Sequence, residues 1–240
     1  MSRDTGHSTG LRVAIVGASL GGLSVANVLH RLGAQVEVFE YFPHGFHDRG
    51  GALGAVDISL LHQIRGNAGP RSRPPIRRHG HFYGDLWQYL AEGIPEDTVR
   101  FGVDVKEIVD SASQTPRLEI AGEERGFDLV VGADGGKSTI RRYVTNAVPE
   151  YSGYNLWRGL VPGEGIPGPP SGARTIDGVR YETLGFPFTN GYGIAMWNCG
   201  FYMMTPKSEV AAPARNRQVT SSLTGTVPDW FIPVIRALFG

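Results

Sequence analysis

The sequence predicts an α/β fold in which a parallel sheet with a strand–turn–helix–strand unit at its centre is followed by antiparallel β-sheet. Three observations carry this. Residues 11–40, LRVAIVGASLGGLSVANVLHRLGAQVEVFE, pass from an apolar run to a glycine turn, a helical repeat and a second apolar run. Residues 127–142, FDLVVGADGGKSTIRR, repeat the order of apolar run, glycine turn and helix start. Beyond about residue 150 the apolar residues alternate with polar ones, the period of strands with one face buried.

Within the first unit, residues 11–16 read as a buried parallel strand. Gly17, Ser19, Gly21 and Gly22 crowd the turn, and Leu20, Leu23, Ala26, Leu29 and Leu32 recur at helical spacing before the stop at Gly33. Residues 35–39 form the next strand, which ends in Glu40. Glycines at such a turn let a pyrophosphate approach free N–H groups at the positive end of the helix. A carboxylate about 20 residues further on accepts hydrogen bonds from ribose hydroxyls. The fingerprint is Gly17-x-Ser19-x-x-Gly22, with serine where its middle glycine usually stands. The competing reading, a glycine turn without a ligand, leaves the acid at Glu40 unexplained. A signal peptide or membrane span is opposed by Arg12, Ser19, Ser24 and Asn27, which interrupt the apolar run.

Composition sets the outer bounds. With 240 residues the chain is long enough for a sizeable core, and Lys+Arg and Asp+Glu both number 23, so no net field draws nucleic acid or an anionic membrane. Cys199 is the single cysteine, which excludes an intramolecular disulfide framework and suits a reducing cytoplasm. A small buried apolar residue is its expected role.

Residues 1–10 read as a polar tail. His44, His47 and Asp48 follow Glu40 in a loop, where polarity rather than a metal site is expected because no second ligand cluster accompanies them. In the same loop, Arg49, Gly50 and Gly51 combine a phosphate-pairing side chain with close backbone approach. A short helix is predicted over residues 52–64, an exposed arginine-bearing loop over 65–80 and a helix over 85–92. Strands are predicted over 98–101, 103–109 and 117–120, forming a small antiparallel sheet around 99–121 with a loop over 121–126. Further strands are expected over 152–161, 174–184 and 191–204, and a helix interrupted at Pro233 over 228–239. Trp157, Tyr181, Phe186, Phe188, Trp197 and Tyr202 are candidates for one aromatic pocket, against the commoner role of sheet core.

In residues 127–142, a buried strand is expected to end at Gly132, Gly135 to follow Asp134 in a tight turn, and Ser138 to stand near the start of a helix. Asp128, Gly132, Ala133, Asp134, Gly135, Ser138 and Arg141 together match Asp-x-x-x-Gly-Ala-Asp-Gly-x-x-Ser-x-x-Arg in full. The stretch resembles the second fingerprint of the aromatic-ring hydroxylases, the class A flavoprotein monooxygenases of the para-hydroxybenzoate hydroxylase type. Arg49-Gly50-Gly51 resembles the loop these enzymes place beside the flavin, and Trp157-Arg158-Gly159 resembles the opening strand of the substrate sheet in the 2,6-dihydroxypyridine hydroxylase branch.

The resemblance implies a Rossmann-like FAD-binding domain over residues 1–150 and an incomplete substrate-binding sheet over 151–240. It implies FAD as cofactor, held by Gly17, Ser19, Leu20, Gly22, Glu40, Arg49, Val105 (by its backbone, at the adenine) and Asp134, the last beside the path of the nicotinamide donor. NADH or NADPH would supply electrons, and a small aromatic or heteroaromatic substrate and oxygen would be the partners. No nucleic acid, metal or membrane span is implied; a homodimer is allowed. No catalytic acid or base is assigned. Two departures stand out: Tyr83 and His81 occupy the region where the family carries an arginine, and the third motif, Gly-Asp-Ala-Ala-His, does not occur in the 240 residues. The expected function is an FAD-dependent monooxygenase or its N-terminal portion, with a flavin-binding remnant lacking hydroxylase activity as the alternative. A simple nicotinamide-binding reductase is opposed by the motif from Asp128 to Arg141.

Overall fold

A computed structural model of the chain describes residues 10–46, 51–53, 56–66, 81–109, 115–164, 172–176, 178–189, 192–204, 206–207, 232 and 236. The chain divides into two compact units, one of Met1–Asp48, Asp57–Ile76 and Leu86–Pro149, the other of Arg49–Val56, Arg77–Asp85 and Glu150–Gly240.

In the first unit β1 (Arg12–Val16), β2 (Gln35–Glu40), β5 (Val99–Phe101) and β8 (Leu129–Gly132) form a parallel sheet in the order β5-β2-β1-β8. Val13, Ala14 and Ile15 are fully buried, which is why β1 reads as an unbroken apolar run. Helix α1 (Leu20–Arg31) follows the first glycine turn and buries Leu23, Ala26 and Asn27. The expected buried strand at β8 is instead the end of the sheet, with Leu129 45% exposed. Strand side chains point to the faces, so Leu129 is exposed because its face is not covered by the described residues.

The predicted helix over 52–64 resolves into β3 (Ala52–Leu53) and helix α2 (Ile58–Arg65). Asp57 caps α2: its carboxylate accepts from Ser59 N (2.9 Å) and Leu60 N (3.2 Å). Arg65, expected in an exposed loop, ends α2 with its side chain buried, its guanidinium 4.3 Å from the Tyr89 ring and 3.8 Å from Glu92. Tyr89 and Glu92 belong to α3 (Tyr83–Ala91) and the residue just past it, so an apolar helix face supplied the cover that the local proline and glycine composition concealed.

The small antiparallel sheet is a hairpin of β6 (Arg117–Ile120) and β7 (Glu123–Gly126), joined through Ala121 (φ 52°) and Gly122 (φ 85°). The residues read as a loop over 121–126 thus contain its second strand. Residues 103–109 form no strand beyond one bridge between Ile108 and Leu118, and β5 belongs to the parallel sheet. Helix α4 (Arg141–Val144) starts three residues after Ser138.

In the second unit β9 (Tyr154–Pro162), β10 (Gly172–Ile176), β11 (Val179–Thr189) and β12 (Ala195–Met204) form an antiparallel sheet ordered β10-β11-β12-β9. The predicted strand over 174–184 is two, because the chain reverses between Ile176 and Val179 with Gly178 at φ 81°. Pro187 sits where β11 has run past β10 and lies opposite Trp197 of β12. By register, Trp157, Val161, Tyr181, Thr183, Cys199 and Phe201 share one face, which is the buried one. Phe186, Phe188 and Tyr202 occupy the other, so the six aromatic residues do not build a single pocket. β3 pairs with β4 (His81–Phe82); Ala52 N donates to Asn198 Oδ1 (3.2 Å), and Phe82 stacks on Phe188 with ring centroids 6.3 Å apart. The helix predicted over 228–239 lies outside the described residues.

Candidate functional site: two glycine turns at the end of the parallel sheet

Both turns leave the same end of adjacent parallel strands, and their main chains touch. Gly17 has φ 102°, and a Cβ there would stand 2.4 Å from Ala133 O; a Cβ on Gly22 would stand 1.9 Å from Gly17 O. Glycine is therefore required at both positions by the protein itself, before any ligand is considered. Ser19 has φ −72° and ψ −179°, an extended conformation open to any residue, so serine at the middle fingerprint position introduces no strain.

Among the described residues, the N–H groups of Leu20, Gly21 and Gly22 have no partner; the first α1 amide that is bonded is Leu23, to Ser19 O at 3.0 Å. No acidic side chain occupies the first turn of α1 to neutralise its positive end. A Cβ on Gly21 would meet nothing within 4 Å. Glu40 is buried at the end of β2: one carboxylate oxygen accepts from Ala18 N (2.7 Å), the other from Phe42 N (2.9 Å). Each oxygen keeps a second lone-pair direction for a hydroxyl donor. Val105 packs its side chain in the core between Phe39 and Ile108, while its main-chain N–H and C=O have no partner among the described residues. Three free amides, a buried carboxylate and a free peptide edge in one unit fit the phosphates, ribose and adenine of a dinucleotide in that order.

The second turn braces itself. Asp134 accepts from Ser138 Oγ (2.6 Å), Thr139 N (2.6 Å) and Ile140 N (3.2 Å), Ser138 Oγ accepts from Arg141 N (2.9 Å), and the Arg141 guanidinium donates to Gly135 O and Gly136 O. Asp128 Oδ2 accepts from Arg12 N (2.7 Å) and ties β8 to the start of β1. The charged residues of this motif shape a loop whose backbone supports Gly17.

One residue that positions the first turn was not legible as such. Trp87 Nε1 donates to Ala18 O (2.7 Å), its ring meets Phe46 edge-on at 6.0 Å, and Gly45 lies so close that a Cβ would overlap it. A tryptophan within an apolar helix was the available signal, but it looks the same as core. Arg49 lies outside the described residues, as do His47 and Asp48. Among the described residues no group of three or more His, Cys, Asp or Glu side chains is placed to hold a metal, and no helix is long and apolar enough to cross a membrane.

This arrangement has the fold of the class A flavin hydroxylases. The solved structure of 2,6-dihydroxypyridine-3-hydroxylase from Arthrobacter nicotinovorans superposes with a TM-score of 0.73 at 17% identity, covering 97% of this chain and 71% of that one. Klebsiella pneumoniae HpxO complexed with FAD and uric acid superposes with a TM-score of 0.63 at 19% identity, covering 98% and 67%. The chain's relatives are FAD-dependent aromatic monooxygenases. It is 30% identical over 189 residues to 3-amino-4-hydroxybenzoate 2-monooxygenase of Streptomyces cremeus, covering 65% of this chain and 48% of that protein. It is 28% identical over 181 residues to 2,6-dihydroxypyridine 3-monooxygenase of Paenarthrobacter nicotinovorans, covering 64% and 44%. The chain thus spans about half the length of the curated relatives it matches, and no family model matches it.

Proposed function

We propose that the chain binds FAD and forms part of an NAD(P)H-dependent monooxygenase that hydroxylates a small aromatic or heteroaromatic compound. The observation that carries this reading is the set of free amides at Leu20, Gly21 and Gly22 beside the buried carboxylate of Glu40. In it, the α1 amides hold the pyrophosphate, Glu40 takes the ribose hydroxyls, and the Val105 backbone meets the adenine. Ser19 lines the approach to the phosphates, and Arg49 supplies a cation to the cofactor, as the resemblance of Arg49-Gly50-Gly51 implies. Asp134 acts through the loop it braces. Bound FAD supplies electron transfer from the nicotinamide donor and activation of oxygen. This chain's residues orient the cofactor and exclude water from it, a role that asks for no nucleophilic side chain. A cytoplasmic setting is proposed with it, in keeping with one buried cysteine, as is a homodimer.

A second reading, a flavin-binding remnant without hydroxylase activity, is favoured by Tyr83 and His81 standing in the region where the resemblance places an arginine. Incubation with excess FAD, desalting and an absorbance spectrum test the first step. A retained flavin band with vibronic structure is expected, followed by substrate-stimulated NAD(P)H oxidation with phenols or hydroxypyridines. A colourless protein defeats both readings; a flavin that is retained but never oxidises NAD(P)H with any substrate leaves the remnant.

A further inference from the structure

We propose that a hollow at one end of the antiparallel sheet binds a small zwitterion with an apolar body, an α-amino acid or a compound of that kind. The proposal goes beyond the monooxygenase reading and does not rest on it, since every residue it uses lies in the second unit.

The hollow, about 280 Å³ in volume, is lined by Tyr154 of β9, Tyr202 and Met204 of β12, and Arg180 and Glu182 of β11. Register explains why these five meet. Met204 lies opposite Tyr154 on β9, and Tyr202 lies opposite Glu182 on β11. Residues two apart on a strand point the same way, so Arg180 joins them on that face. Ala52 and Phe82 meet the same face through Asn198 and Phe188, at its other end. Glu182 is six positions from Phe188, about 20 Å of strand.

The hollow has two unlike sides. On one, the Tyr154 and Tyr202 rings meet edge-on with centroids 5.4 Å apart, beside the Met204 side chain, an adaptable apolar surface. On the other, the Arg180 guanidinium and the Glu182 carboxylate stand 3.9 Å apart. Both side chains are more than half exposed, so their mutual attraction is weak and opens readily to a ligand. Neither has another side-chain partner among the described residues, and the Tyr154 and Tyr202 hydroxyls have no hydrogen bond there.

A ligand with a positive charge alone is repelled by Arg180, and one with a negative charge alone by Glu182. A molecule carrying both charges on neighbouring atoms satisfies the pair. Its ammonium group donates to Glu182, its carboxylate accepts from the Arg180 fork, and its apolar body lies against the rings and the thioether. The volume is just below that of pockets for drug-sized ligands, which suits a ligand of this size.

The test is a ligand-observed NMR titration of the full chain at neutral pH and constant salt, with three probes of one shape. L-phenylalanine carries both charges, phenethylamine the positive one and 3-phenylpropionate the negative one. Phenylalanine should bind about tenfold more tightly than either of the others. Glu182→Gln should weaken phenylalanine about tenfold and leave 3-phenylpropionate undiminished. Arg180→Gln should weaken phenylalanine likewise and leave phenethylamine undiminished. Both positions are exposed, so the thermal midpoint should stay unchanged in each variant. Binding of a singly charged probe as tight as that of phenylalanine, no binding of any probe, or phenylalanine binding that is unaltered in either variant overturns the proposal.

Discussion

Two neighbouring glycines on α1 separate what a residue does for the fold from what it does for a ligand. A methyl group at Gly22 would meet the main-chain oxygen of Gly17 at 1.9 Å, and backbone cannot move aside as a flexible side chain can. Gly22→Ala should therefore cost about 3 kcal/mol or more, seen as a collapse of the denaturation midpoint. At Gly21 the space is open, and alanine should stabilise the helix by roughly 0.5 kcal/mol. If the phosphates approach the amides there, Gly21→Ala should nevertheless bind FAD less tightly while melting higher. Glu40→Gln tests the acid: it removes the charge that Ala18 and Phe42 N–H groups point toward, and should weaken FAD by about tenfold or more. Cys199 is a residue whose role ends at packing. Burial pushes its thiol from 9.0 up to about 11, so the folded chain keeps its proton where the unfolded chain has released it. Stability from this source is intact below pH 9.0 and is lost as pH rises toward about 11. Thiol reagents should label Cys199 only when denaturant is added.

At the scale of elements, single polar groups act as fasteners. Asp57 shows the sign of one such effect. Its hydrogen bonds to Ser59 and Leu60 hold its carboxyl below the ordinary 3.8. The stabilisation is therefore present above that value and lost as pH falls through the lower folded one. Asp57→Ala should lower the thermal midpoint at neutral pH and make no difference in strong acid, where the carboxyl is protonated in both states. Trp87 fastens α3 to the first glycine turn. Trp87→Phe keeps a ring against Phe46 and removes the bond to Ala18 O, leaving a buried carbonyl without that donor. A cost of about 1–3 kcal/mol follows, with FAD affinity falling alongside because the turn is no longer held. The element boundaries that sequence reading misplaced share one cause. Residues 103–109 alternate like a strand but lack a continuous partner. Residues 123–126 look like a loop by composition and become a strand because Ala121 and Gly122 turn the chain back onto Arg117–Ile120. Pairing depends on a neighbour, and no local period encodes one.

For the molecule as a whole, the edge of the parallel sheet at β8 sets an expectation. Leu129 is exposed there, and Val144 and Val148, which follow on the same segment, are each 79% exposed. Apolar side chains left in water near a strand edge that is unpaired among the described residues favour association. Sedimentation velocity should show concentration-dependent self-association or a marginal melting midpoint. A monomer with a high melting midpoint would count against this. The two units also interleave in sequence, since Arg49–Val56 and Arg77–Asp85 belong with the antiparallel sheet. That interleaving brings distant residues together: Gly51 lies 107 positions before Arg158 in the sequence and comes beside it because β3 returns to the sheet through Ala52 and Asn198.

Sequence alone determined the α/β class, the first glycine turn with α1 and Glu40, and the second turn from Asp128 to Arg141. Each of these depends on contacts close in the chain, or on residues such as Gly17 that few others can replace, and such constraints leave a period or a motif. Tertiary structure decided the rest. It placed β8 at an edge, buried Arg65 beneath Tyr89, set Asp134 to brace its own loop, and parted the six aromatic residues onto two faces of one sheet. In each case the outcome turned on which distant segment came to lie alongside, and the free energy of that choice resides in pair contacts that no stretch of local sequence contains.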